Sequence, residues 1–340
     1  MKISIVTPLY KSAPYIKELH RRCVNTILAI GEVEHEIIFV NDGSPDNSLE
    51  IAKAVAADDP CVMVIDLSRN FGQHEAIMTG LGRATGDCIF VMDSDLEDEP
   101  EWIAVFYNAF LERDCDVVYG VNNNLKGGWA YSRLRTTFYL VLNYLSTISF
   151  PPNVCSARLM SRRYVDALLQ FTERELFMAG IWHVAGFTQL PIEVVKHDSS
   201  PTTYSTSRLI NLFINAVTAF STRPLTIISV AGIFLSLVAF AFMVWLTYLK
   251  LAYGITIEGW TSVMVAVLAI GGITLFFNGV VAIYVAKIFI EVKQRPRSII
   301  REIYGELPSK PPTQEGAPRI ALPSSSVSKT VAIPHRTEIH

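Results

Sequence analysis

Asp93-Ser94-Asp95 closes the apolar run Asp87-Cys88-Ile89-Phe90-Val91-Met92, and Glu97 and Asp98 follow at once. Two carboxylates one residue apart, placed where a buried strand must stop, suit a hard divalent cation that keeps positions open for phosphate oxygens. An Asp-x-Asp alone fits a solvated acidic loop better, so its meaning depends on what else reaches the same place. Three other apolar runs end in polar residues of similar character. Thr7-Pro8-Leu9-Tyr10 ends the first, Asn41-Asp42-Gly43 the second and Ser68-Arg69-Asn70-Phe71-Gly72 the third. Gathered on one edge, they would offer an acceptor for a base amide in Asp42, a cation beside a base or phosphate in Arg69, and metal ligands in the acidic pair. That inventory suits a nucleoside diphosphate. No Gly-x-Gly-x-x-Gly follows the first run and no lysine-bearing phosphate loop is present, which excludes the usual dinucleotide and P-loop patterns.

The elements that would gather them are legible as alternation. Strand-like runs lie at Ile3–Thr7, Glu36–Asn41, Val62–Leu67, Cys88–Met92 and Val117–Tyr119. Helical periods lie at Pro14–Ile30, Ser48–Ala57, His74–Arg83 and Glu101–Glu112. Strands alternating with helices predict a mostly parallel sheet with helices on both faces, whose strand ends share an edge. Periodicity lapses from Tyr119 to Trp129, and a helix is expected over Tyr131–Ile148. Further helices are expected over Leu159–Gln170 and Glu173–Ala185, then a strand at Gln189–Lys196.

The chain has 340 residues, half of them hydrophobic, and net charge −3, which argues neither way on nucleic acid. Its mean hydropathy is +0.32. The apolar excess concentrates at Leu225–Leu249 and Val263–Ile290, each longer than the ~20 residues that cross a hydrocarbon core. Ser207–Ser221 carries apolar residues at near-helical spacing and reads as an interfacial amphipathic helix, or as one more soluble core helix. Arg208 and Arg223 precede the first run and Lys287, Lys293, Arg295, Arg297 and Arg301 accompany the end of the second. This bias places both outer ends in the cytosol and predicts a membrane hairpin. Met1–Val6 has no signal-peptide character. Five scattered cysteines without metal-ligand spacing fit reduced thiols. The tail from about Glu306 is rich in Pro, Ser and Thr and is expected to be disordered.

Val40-Asn41-Asp42-Gly43-Ser44-Pro45-Asp46, Ser68-Arg69-Asn70-Phe71-Gly72-Gln73-His74 and Asp93-Ser94-Asp95-Leu96-Glu97-Asp98 resemble the signatures of family-two inverting glycosyltransferases of the GT-A fold. With the hairpin, and with Tyr204-Ser205 through Pro224-Leu225, the chain resembles the polyprenyl-phosphate glycosyltransferases over about residues 1–305. The resemblance implies a cytosolic catalytic domain at 1–205, an interfacial helix at 206–224, a transmembrane hairpin at 225–290 and a basic segment with a disordered tail at 291–340. It implies transfer of a sugar from a nucleotide-diphosphate donor, a UDP-sugar by expectation, to polyprenyl phosphate at the inner membrane. No nucleic acid is expected as a partner. Relatives can be tetrameric, and a homo-oligomer is expected. The rival readings are extension of a lipid-linked oligosaccharide and a non-catalytic nucleotide-sugar-binding subunit.

Position by position, the resemblance implies that Pro8 and Tyr10 line the nucleoside pocket, that Asp42 binds the base with Arg69 close by, and that Ser94 lies in the same donor site. Asp93 and Asp95 would hold Mg²⁺ or Mn²⁺, with Glu97 a further ligand or a solvated loop acid. Many relatives have an acceptor-side Asp where Ser156-Ala157-Arg158-Leu159 stands here, and Gly-x-Ser-Lys where Ser200-Pro201-Thr202-Thr203 precedes Tyr204. Lys196, His197 or Arg208 would substitute for the missing lysine. Arg158 and the Arg162-Arg163 pair are candidate phosphate holders, the pair being equally suited to a solvated helix start. Glu173 and Glu175 are the remaining acid/base candidates, with a capping role as the alternative. A phosphate monoester has a second pKa near ~6 and is already a nucleophile at neutral pH, so loss of a base is tolerable.

Overall fold

Continuous β-branched and aromatic runs form strands covered on both faces, and the first four runs do so. In the computed structural model they are β1 (Lys2–Leu9), β2 (Glu34–Asn41), β3 (Val62–Leu67) and β4 (Cys88–Val91). The structure describes residues 1–122, 133, 140, 143–144, 153–174, 178–196, 221–253 and 259–305. Side chains alternate along each strand. Ile3, Ile5, Ile37, Phe39 and Phe90 join one core cluster, whereas Val6, Ile38, Val40, Ile89 and Val91 join the other. The first cluster is closed by α1 (Ile16–Ile30), α2 (Ser48–Asp58) and α4 (Trp102–Glu112). The second is closed by α3 (Gln73–Leu81), α5 (Arg162–Leu168) and α6 (Met178–Val184).

With β5 (Val117–Val121), β6 (Val154–Ser161), β7 (Gln189–Glu193) and β8 (Ile300–Tyr304), the described residues form one eight-stranded sheet. Its order is β7-β5-β6-β4-β1-β2-β3-β8. β1 pairs in parallel with β2 and β4, and β2 with β3. The sheet is mostly parallel, as expected, with two antiparallel members: β6 runs antiparallel between β4 and β5, and β8 runs antiparallel to β3. From β1 the chain moves outward to β2 and β3, then returns to place β4 on β1's other side. The gap beyond the carboxyl ends of β1 and β4 is therefore the switch point where open α/β sheets bind ligands.

One expectation needs correction. Leu159–Gln170 is not one helix: Leu159 and Met160 are strand residues paired to Phe90 and Ile89, and α5 begins only at Arg162, capped by Ser161. The chain after the second apolar run returns to the sheet, which the sequence reading did not foresee. Ile300–Tyr304 pairs with β3, Arg301 reaches the buried Asp66 at 3.1 Å, and Ser68 N–H donates to Ile299 O at 2.8 Å.

The apolar runs are α7 (Arg223–Tyr253) and α8 (Trp260–Lys293). Within them, 24 and 31 residues have mean hydropathies of 2.6 and 2.2, and no residue of their most apolar stretches is buried. Leu251, Leu268 and Leu275 are 82%, 70% and 74% exposed. Helices this long and oily, with no protein over them, require a bilayer around them; the protein is membrane-associated. The expected amphipathic helix lies almost wholly outside the described residues.

Candidate active site

Polar residues that follow a buried strand emerge at its carboxyl end, and register fixes how close neighbouring ends come. Leu9 pairs with Asn41, and Val6 with Val91, so the segments after β1, β2 and β4 converge. They enclose a cleft of about 380 Å³. Pro8, Tyr10 and Asp42 line it together with Asp93, Ser94 and Asp95, as expected from the sequence.

The loops are tied from within. Asp46 accepts from Ser44 and Ser48 hydroxyls, each at 2.5 Å, and from Ala13 N–H at 3.1 Å. Those bonds overcome partial burial and hold its carboxyl down at about 2. Ser12 and Ser94 share a hydroxyl hydrogen bond of 2.6 Å across the cleft floor. Asp42, 2% exposed, accepts Phe71 N–H at 2.7 Å on one oxygen and Gly72 N–H at 2.9 Å on the other. It thus shapes the loop after β3, and its remaining lone pairs can take a donor from the cleft.

Gly43 is where these loops touch. Its φ is +58°, and a Cβ there would stand 2.4 Å from Asn70 N and 2.5 Å from the Arg69 carbonyl carbon. Backbone strain and overpacking each cost about 1–3 kcal/mol. Gly43→Ala is therefore expected to push the Arg69–Gly72 loop away and raise the donor KM about tenfold or more, with a lowered Tm; initial-rate kinetics and a thermal melt check this.

At the acidic end, Asp93 accepts from Gln73 Nε2 at 2.6 Å and from Ser156 Oγ at 2.7 Å. Its carboxyl is pushed up to about 6, first by burial and then by the charge of Asp98, with Asp95 adding to it. Asp95 accepts Glu97 N–H on one oxygen at 3.0 Å. Ser156 thus reaches the acidic pair from β6, at the position where a carboxylate was missing from the sequence pattern.

Several expected residues go elsewhere. Arg69 turns out of the cleft, over the Phe71 ring at 4.0 Å, and Asn70 lines the cleft instead. Arg158 is 1% exposed: its guanidinium stacks on Trp182, 3.0 Å from the ring centroid, and burial pushes its pKa down to about 9. It is a core residue, not a phosphate holder. Arg162 donates to Ala84 O at 2.6 Å, and its own N–H bonds to Asp87 O before β4 begins, at the opposite sheet edge. Arg163 pairs with Asp116. Lys196 Nζ lies 2.8 Å from Oδ1 of the fully buried Asp98. Burial opposes its charge, but Asp98 raises its pKa above the usual lysine range. Lys196 is thereby committed to Asp98.

Among the described residues no three acids, cysteines or histidines meet in a preformed metal-binding group. Glu173 is half-buried and its carboxyl is raised by burial and by Glu291. Glu175, His197, Tyr204 and Arg208 lie outside the described residues. Lys11, which lines the cleft with its Nζ 5.7 Å from the Tyr10 ring centroid, is the functional candidate that sequence reasoning missed. Its adjacency to Tyr10 is the signal that pointed to it.

The model of the family described as "Glycosyl transferase family 2" matches residues 4–169, which hold β1 to β4 and the cleft. A protein named among the glycosyltransferases of Mycobacterium tuberculosis is 40% identical over 329 residues, 96% of this chain and 95% of that one. The glycosyltransferase YkcC of Bacillus subtilis is 35% identical, covering 90% of this chain and 95% of its own. The SfII prophage-derived bactoprenol glucosyl transferase of Shigella flexneri is 32% identical, covering 89% of this chain and 98% of its own. An acidic pair at the switch point of this sheet, with relatives alike over almost their whole length, means that the chain belongs to glycosyl transferase family 2.

Proposed function

We propose that this glycosyltransferase moves a sugar from a nucleotide-diphosphate donor, a UDP-sugar, to polyprenyl phosphate, inverting the anomeric configuration. It would act at the cytosolic face of the inner membrane, with both outer ends of the helical hairpin in the cytosol. The observation that carries this is one cleft with an aromatic–proline wall at Pro8 and Tyr10 and two carboxylates at its other end. The bactoprenol glucosyl transferase relative supports the acceptor. So does the course of β8. It enters the sheet beside Leu67, at the carboxyl end of β3, directly after α8 leaves its apolar span. The cleft edge is thus the edge nearest the hairpin.

In this reading Pro8 and Tyr10 hold the base, Asp42 accepts a base N–H with its spare lone pairs, and Lys11 faces the diphosphate. Asp93 and Asp95 fit Mg²⁺ or Mn²⁺. Such ions usually take one or two carboxylates plus substrate phosphates rather than an all-protein cage, and the crowding of Asp93, Asp95 and Asp98 is the negative field a cation relieves. When bound, the ion would offset the charge developing on the departing diphosphate. Ser156 and Gln73 orient Asp93. The acceptor phosphate, largely dianionic near pH 7, needs alignment with the anomeric carbon more than it needs a base.

A panel of labelled UDP- and GDP-sugars with short-chain polyprenyl phosphate and Mg²⁺ tests the proposal. The expected result is an organic-extractable lipid monophosphate sugar. Label found only in lipid-linked oligosaccharide would move the acceptor to that class, and no labelled lipid from any donor would overturn the reading.

A further inference from the structure

The loop after β3 has two faces. Asn70, Gly72 and Gln73 line the donor cleft, whereas Arg69, Phe71 and Glu75 line a separate cavity of about 340 Å³. The far wall of this second cavity is the last turn of α8 and the chain beyond it: Phe289, Ile290, Lys293, Arg295 and Arg297. Arg174 completes it.

Five cations and one carboxyl, Glu75, line this cavity, with the Glu291 carboxylate beside it on the Arg174 backbone N–H at 2.7 Å. Among the described residues none of the five forms an ion pair with a carboxylate. Three of them rest on neutral groups. Arg69 donates to Asn70 O at 2.8 Å, Arg297 donates to Phe171 O at 2.8 Å, and Lys293 Nζ sits 3.9 Å from the Phe289 ring centroid. The one acid lining the cavity, Glu75, is raised by burial to about 7 although Arg297 and Arg174 pull it down, so near neutral pH it carries only part of a negative charge against the five cations. Positive charge gathered in a partly enclosed space and left unpaired is self-repelling, and a bound anion relieves it.

The position says which anion. The cavity begins where an apolar span of 31 residues ends at Lys293, the level at which headgroup phosphates lie. Phe289 and Ile290 give its wall an apolar part continuous with the lipid-facing helix. Arginine forks with a lysine beside them suit phosphate oxygens. We infer that this cavity is a headgroup site for a phosphate-bearing membrane lipid, separated from the donor cleft only by the loop Arg69–Glu75. The lipid is either the polyprenyl phosphate acceptor on its way to the cleft, a source that rests on the function proposed above, or an anionic phospholipid that braces the loop.

The test uses the full chain in phosphatidylcholine nanodiscs, comparing wild type with the double variant Arg174→Gln/Arg295→Gln. Lys293→Gln is the second variant should the double one fail to fold, and UDP binding reports folding in each case. Loss of two charge-assisted contacts is expected to raise the acceptor KM about tenfold or more, with donor KM and UDP affinity within about twofold of wild type. An unchanged acceptor KM with loss of the wild type's stimulation by added phosphatidylglycerol would assign the site to phospholipid. Variants that match wild type in both arms would overturn the inference. Should wild type transfer no sugar to polyprenyl phosphate, the acceptor reading fails by itself. Native mass spectrometry then decides the site: wild type retaining phosphatidylglycerol that the variant loses supports it, and equal retention overturns it.

Discussion

Asp95→Asn and Asp93→Asn each lower kcat by about a thousandfold or more, while UDP remains able to enter the cleft. Removing one preorganised electrostatic group from a transfer site typically costs 10²–10³-fold or about 3–4 kcal/mol, and here the lost carboxylate also takes with it the charge that would hold the cation. The two variants differ in stability. Asp93 is raised to about 6 by burial and by the charges of Asp98 and Asp95. Replacing it with a neutral isostere removes that repulsion and keeps a partner for Ser156 and Gln73. Its Tm is therefore expected to stay level or rise by a degree or two, the pattern of a site that sacrifices stability for function. Rapid-quench transfer assays beside thermal melts check both halves. An Asp95→Asn protein that folds, binds UDP and transfers sugar at the wild-type rate would remove the acidic pair from the mechanism and favour a non-catalytic binding subunit.

Glu36→Ala destabilises the fold by about 3–5 kcal/mol, the usual cost of breaking a buried ion pair from one side, and lowers Tm on the order of 10 °C. Glu36 is fully buried near the start of β2. It accepts from Ser4 Oγ at 2.6 Å and from Thr85 N–H and Oγ1 at 2.6 and 2.7 Å, and it pairs with Lys2 Nζ at 2.5 Å. The alanine removes the shared acceptor of the buried Ser4 hydroxyl and the Thr85 N–H, and leaves Lys2 Nζ with Thr85 Oγ1 at 2.7 Å. Glu36 lies far from the cleft, at the opposite ends of β1 and β4, so residual folded protein should keep its KM values. A pH dependence follows with a definite sign. Burial works to raise the Glu36 carboxyl, but its four partners win and lower it. Its contribution is therefore present above the ordinary glutamate range, ~4.3, and is lost as pH falls through the lowered folded value. The melting profile of Glu36→Ala should show a shallower loss between neutral and acidic pH than wild type.

The cleft was readable from sequence because strands buried on both faces must be apolar throughout, and polar residues then mark where each one stops. Asp42 and Asp93 are legible for that reason. What failed to read were elements without such contrast. Leu159 and Met160 run straight into Tyr164, Val165 and Leu168, so the end of β6 and the start of α5 blend into one apparent helical period. Missing β6 also hid the fate of Arg158. On a strand it alternates with Ala157 and Leu159 and shares a face with Met160, which sends it into the core beside Trp182 rather than toward a substrate. In the loop after β3, where no such alternation can be read, Asn70 goes to the cleft and Arg69 to the cavity behind it. β8 was invisible because an edge strand reading Ile-Arg-Glu-Ile-Tyr is short and carries a charge on each face, which leaves no apolar alternation to read. Its partner, not its composition, makes it a strand.

That pairing also sets a height. Only six residues, 294–299, connect the end of α8 to Ile300, and six extended residues span at most about 20 Å. The carboxyl end of β3, and with it the reaction edge, is tethered within that reach of the point where α8 leaves its apolar span. The fold thus works as a fixed-length stand-off: the catalytic sheet can rock over the bilayer but cannot drift away from the plane in which a lipid phosphate is confined, so the search for the acceptor is held to two dimensions.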